Sequence, residues 1–100
     1  MKGSAFVNKY HNESMDLLFN SILTLENIDE CYAFFEDICT IKELQSIAQR
    51  VLVAKMLTEG KVYSDIVTRT GASTATISRV NRSLTYGNDG YNIVFNRLEK

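Results

Sequence analysis

Tyr63-Ser-Asp-Ile-Val-Thr-Arg-Thr-Gly-Ala-Ser-Thr-Ala-Thr-Ile-Ser-Arg-Val-Asn-Arg-Ser-Leu84 is the stretch that decides the fold, because it reads as two short helices joined by a sharp turn. Ile66 and Val67 supply the inner face of the first helix. Gly71 stands where the chain must turn, and glycine enters the left-handed backbone region at little steric cost. Ser73 closes the turn as an N-cap, its hydroxyl placed to accept from the backbone N–H of Ala75 or Thr76. Ile77, Val80 and Leu84 recur at spacings of three and four, which makes one buried stripe directed back onto Ile66 and Val67. The outer face is left with Thr74, Ala75, Ser78, Arg79 and Arg82, and Thr76 lies near its edge. Small, hydrogen-bonding and cationic groups at the start of a second helix are what enters the major groove in a helix-turn-helix. A plain αα-hairpin would use the glycine turn but has no need of the Gly-Ala-Ser start or the hydroxyl-rich cationic face. The expected partner is therefore double-stranded DNA. Thr74, Ala75, Thr76, Ser78 and Arg79 are placed for base edges, Ser73 belongs to the same surface, and Lys61, Arg69 and Arg82 are placed for phosphates.

The overall charge of −1 and pI of about 5.8 argue against such a partner only on average. Residues 1–59 carry five Lys or Arg and nine Asp or Glu, a net of −4, whereas residues 60–100 carry six and three, a net of +3. Between Ile66 and Asn88 there are three arginines and no acidic residue. Phosphates are neutralised locally, so a basic face on an acidic body suffices. A chain of 100 residues bounds one domain, near the small end of what folds alone, and such a chain gains core by pairing with a copy of itself.

Cys31 and Cys39 are the only cysteines; both stand beside apolar residues and read as small buried thiols. Neither has a Cys-x-x-Cys partner and His11 is the sole histidine, so no metal or other cofactor is expected. No apolar run follows Met1-Lys2, and Val51-Leu52-Val53-Ala54 is too short to span a membrane, which points to a cytoplasmic protein. An enzyme is not expected either. His11 has no nucleophile beside it, and Asp29-Glu30 and Glu36-Asp37 read as solvated helix faces.

Helical periodicity fills nearly every window, and no proline occurs. Met15, Leu18, Phe19, Ile22 and Leu23 place a first helix from about Asn12 to Leu25. Asn27 with Glu30 makes a capping-box start for a second, ending around Cys39, with Ile28, Tyr32, Phe35 and Ile38 as its apolar positions. Thr40 with Glu43 repeats that signal before a long third helix from Ile41 to about Glu59. Its apolar face is Leu44, Ile47, Ala48, Val51, Leu52, Ala54 and Leu57, and Gly60 closes it. The paired helices follow, from about Tyr63 to Thr70 and from Thr74 to Thr85. After the turn cluster Tyr86-Gly-Asn-Asp-Gly90, a last helix from about Tyr91 to Leu98 offers Ile93, Val94 and Leu98. The fold class is thus all-α, with about six helices in a single domain over residues 1–100. Tyr10, Phe19, Tyr32, Phe34 and Phe35 are too many aromatics for so small a bundle to hide, so residues 1–39 are expected to form a homodimer interface.

With its helices placed, the chain resembles the Trp-repressor superfamily, in particular the Trp-repressor-related proteins of the YerC/YecD type. The resemblance rests on Thr40 to Arg50 and above all on Gly71 to Leu84, and it covers roughly residues 15–98. It implies an intertwined homodimer whose two recognition helices lie about one DNA turn apart, and a transcriptional regulator, most simply a repressor. In the Trp repressor the co-repressor indole lies between two arginines, which Arg50 and Arg79 match; Thr40 and Ser83 match a threonine and a serine beside that pocket. The departure is Val80, where the repressor has a glycine that makes room for the ligand. Tryptophan is therefore not the expected effector, and the sequence names no other. The Ser-x-x-Thr-Ile-Ser-Arg-Val portion is also similar to the reading head of LacI-type regulators, which lies at the start of much longer chains. The alternative of a different class is a helical interaction module that docks a transcription-related partner without reading DNA.

Overall fold

The computed structural model describes residues 11–100. They form six α-helices: α1 (Glu13–Ile22), α2 (Ile28–Ile38), α3 (Ile41–Thr58), α4 (Tyr63–Thr70), α5 (Thr74–Tyr86) and α6 (Gly90–Leu98). No strand occurs among the described residues. The chain divides into two compact units between Ile41 and Lys42.

In the first unit each helix starts on an asparagine. Asn12 Oδ1 accepts from the Met15 N–H at 2.9 Å, and Asn27 Oδ1 accepts from the Glu30 N–H at 2.9 Å. The reciprocal arm of the second cap reaches one residue further back than a capping box predicts, because the Glu30 carboxylate accepts from the N–H of Glu26. Glu13 and Asp16 in the first turn of α1, and Asp29 and Glu30 in that of α2, place negative charge where the helix dipole favours it. α1 ends about one turn short of the predicted Leu25. There the amides of Thr24 and Leu25 bond three residues back, and the Thr24 hydroxyl takes the Ser21 carbonyl. Neither helix contains a buried residue. Leu17 (68% exposed), Leu23 (80%), Ile28 (69%) and Tyr32 (58%) remain open to solvent in the single chain. Cys31 and Cys39 are unpaired thiols, half-buried where the sequence predicts full burial. Tyr10, one of the predicted interface aromatics, lies outside the described residues.

The second unit holds the core. Val53, Ala54 and Met56 of α3, Ile66 of α4, Ala72 of the turn, Ile77 and Val80 of α5 and Phe95 of α6 are buried together, with Leu57, Leu84 and Tyr91 packed against them. This corrects the predicted face of α3. Ile47, Val51 and Leu52 are each more than 40% exposed, while Val53 and Met56, absent from the predicted stripe, are buried. The cause is that α3 is apolar on two sides, and periodicity alone does not say which side its own chain covers. The same ambiguity misassigns α6: Val94 and Leu98 are exposed, and Phe95, with Tyr91 stacked on it at 6.0 Å between ring centroids, carries the contact. Lys55 of α3 lies 5.3 Å from the centre of the Phe95 ring and 3.7 Å from the Glu99 carboxylate, so the end of α6 is tied to α3. Gly60 has φ +79 and closes α3 as the sequence predicts.

Candidate nucleic-acid interface

α4 ends on Gly71, whose φ of +72 and ψ of +4 place it in the left-handed region. Its N–H bonds the Val67 carbonyl at 2.9 Å, which satisfies one of the open carbonyls at the helix end. Two residues on, Ser73 caps α5: its Oγ accepts from the Thr76 N–H at 3.1 Å and donates to Thr76 Oγ1 at the same distance. The Ser73 hydroxyl is thus engaged by its own helix.

Burial divides α5 into two faces. Ile77 is fully buried, Val80 is 2% exposed and Leu84 is half-buried. Thr74, Ala75, Ser78, Arg79, Arg82 and Ser83 are exposed, and Thr76 is intermediate, at the edge. On α4, Ile66 is buried as predicted, but Val67 is 37% exposed and belongs to the rim. The helix is only eight residues long, and Ile66 alone points into the core at its midpoint.

The cations on this surface are not neutralised internally. Among the described residues no ion pair holds Lys61, Arg69, Arg79 or Arg82. Lys61 and Arg69 line one shallow cleft of about 120 Å³ together with Met56, Asp65 and Thr68. α5 carries no acidic residue in its first turn, so the positive end of its dipole adds to the same sign of field.

The four residues matched to a ligand pocket are all exposed in the single chain. Arg79 and Ser83 lie exposed on α5, and Arg50 lies exposed on α3. The Arg50 guanidinium reaches back along its own helix to Ser46, donating to its carbonyl at 3.4 Å and its hydroxyl at 3.5 Å. Thr40, also exposed, belongs to the first unit. No group of three or more His, Cys, Asp or Glu residues that could hold a metal ion occurs among the described residues.

A family model described as Trp repressor protein matches residues 13–99. The chain belongs to the Trp repressor family. It is 55% identical over 94 residues to the uncharacterized protein YerC of Bacillus subtilis (strain 168), covering 94% of this chain and 90% of that protein. A crystal structure of a TrpR-like protein from Eubacterium eligens ATCC 27750 superposes with a TM-score of 0.89 at 59% identity, over 93% of this chain and 96% of that one. A crystal structure of a candidate Trp repressor from Staphylococcus aureus gives a TM-score of 0.88 at 53% identity, over 91% of each chain. The all-α Trp-repressor-like fold is thus common to this chain and its relatives. No helix among the described residues is long and apolar enough to cross a membrane.

Two residues that join α3 to the end of α4 carry no conspicuous sequence signal. Gln49 of α3 and Thr70 of α4 hydrogen-bond across the second unit at 3.1 Å. A glutamine one helical turn before a buried valine, and a threonine just before the turning glycine, are the only hints the sequence contains.

Proposed function

We propose that the chain is a sequence-specific DNA-binding regulator of transcription in which α4 and α5 form a helix-turn-helix and α5 enters the major groove. The observation that carries this reading is the composition of the outer face of α5. From Thr74 to Arg82 it presents hydroxyls, small methyl groups, the Asn81 amide and two unpaired guanidinium groups, with Ile77 and Val80 anchoring the opposite side. Base edges and phosphates are read by such groups. A helix that docks a protein would offer large apolar side chains on that face. The one large exposed apolar residue on α5 is Tyr86, at its far end.

The regulator acts as a homodimer. α1 and α2 contain no fully buried residue in the single chain, and their exposed leucine, isoleucine and aromatic side chains are the kind of face that a second copy covers. Two copies related by a twofold axis would present two α5 helices to two half-sites. Repression is the simplest mode of action, and the cytoplasm is its place of work. Tryptophan is not the effector, since Val80 is packed into the core where the resemblance would require an open space beside Arg79.

Fluorescence anisotropy of labelled duplex DNA against salt concentration tests the reading. Binding through Lys61, Arg69, Arg79 and Arg82 predicts a steep fall in affinity as salt rises, through counterion release. Salt-insensitive association, or none, would favour the protein-docking module.

A further inference from the structure

Three hydrogen bonds outside the regular pattern of any helix hold the turn between α4 and α5. Thr70 Oγ1 donates to the Ile66 carbonyl at 2.7 Å and accepts from the Ala72 N–H at 3.0 Å, so one hydroxyl bridges the last turn of α4 to the turn residues. The Gln49 side-chain amide of α3 donates to the carbonyl of the same Thr70 at 3.1 Å. Gln49 stands one helical turn before the fully buried Val53, so one face of α3 carries both an apolar anchor and this polar tie. Ala72, held by the hydroxyl, is itself 2% exposed. The brace therefore fixes the turn from both sides, immediately before α5 begins at Thr74.

Resting on the reading of α5 as the DNA-reading helix, we infer that Gln49 and Thr70 are positioning residues that set the pose in which α5 meets a base sequence. Neither needs to touch DNA. The core of Val53, Ile66, Ile77 and Val80 includes neither of them; the brace governs the angle of the turn. Hydrogen bonds to base edges weaken steeply with distance and angle, whereas attraction of a guanidinium to the phosphate backbone falls off slowly. A loosened turn thus weakens discrimination between sequences far more than general affinity for DNA.

Thr70→Val keeps the shape of the side chain and removes both hydroxyl bonds, Gln49→Ala removes the tie from α3, and Thr70→Ser restores the hydroxyl. Each full-length variant is titrated at one salt concentration with the best duplex recovered from a random pool and with a scrambled duplex. Helix content is followed by circular dichroism. Thr70→Val and Gln49→Ala are expected to lose about tenfold on the selected duplex and less than about twofold on the scrambled one, with unchanged helix content and with Thr70→Ser close to the parent. Equal losses on both duplexes, or no loss on either, overturn the inference and leave DNA reading intact. A parent that does not distinguish the two duplexes overturns DNA reading, and the inference with it.

Discussion

Arg79 and Val80 are neighbours in sequence and opposites in environment: Val80 is 2% exposed in the core, while Arg79 stands in solvent with no carboxylate partner. One α5 residue therefore anchors the helix as the next before it remains available to a ligand. The valine occupies its place with an isopropyl group packed among Val53, Ile66 and Ile77.

Free tryptophan is accordingly expected to give no saturable heat when titrated calorimetrically into the parent protein, and DNA affinity is expected not to depend on it. Micromolar saturable binding would return the chain to the tryptophan-gated repressors. Val80→Gly should lower stability by only about 0.3–0.5 kcal/mol from helix propensity, with the larger loss of about 1–3 kcal/mol coming from the missing buried isopropyl group. It is the variant in which tryptophan binding could reappear.

Leu17 and Ile28 test the dimer. Both are more than two-thirds exposed in the single chain, so aspartate there should change a monomer's stability by about 0.5 kcal/mol or less. Ile28 is also the first residue of α2, where a carboxylate favours the helix dipole. Leu17→Asp and Ile28→Asp are nevertheless expected to dissociate or destabilise the protein, because each buries a charge in an apolar interface. Light scattering at micromolar concentration should report a dimer for the parent. A well-folded parent monomer would remove the interface.

The turn has its own energetic signature. Ser73→Ala removes the acceptor for the Thr76 N–H and should cost about 1 kcal/mol. Gly71→Ala meets no atom within 4 Å, yet it forces a Cβ into a left-handed conformation and should cost about 1–2 kcal/mol. Urea denaturation measures both. A Gly71→Ala protein as stable as the parent would mean that the turn relaxes to another backbone conformation.

The paired helices were the most legible part of the chain because all local signals but that of Val67, which lies on the rim, agreed. Gly71, Ser73 and the stripe Ile77, Val80, Leu84 each specify the same geometry, and α4 and the start of α5 fall where they predict. α3 and α6 were less legible because they are apolar on more than one side, so the choice of Val53, Met56 and Phe95 for the core is made by tertiary packing. Gln49 and Thr70 were not legible at all: their bond joins residues distant in sequence, and neither residue type demands such a partner. On the candidate surface, exposure separates Thr74, Ser78, Arg79 and Arg82 from the core as the helical period predicts. Ser73 is occupied first by capping.

Within the outer face, position separates roles. Changing Thr74, at the N-terminal end of α5, is expected to alter the preferred base at one position by about 1–3 kcal/mol. Arg82→Ala, two turns further along, is expected to weaken all sequences alike and to lower the salt slope by about one unit. Competition titrations with single-base variants of a selected site measure the first, and salt titrations the second. Parent-like binding by both variants would place the DNA-reading surface elsewhere.

Selection of bound duplexes from a random pool by the full-length protein is the most direct test of α5 as a DNA-reading helix. Enrichment of a pseudo-palindromic site, with half-sites about one helical turn apart, is the predicted result. Recovery of a pool with no enriched sequence would contradict it.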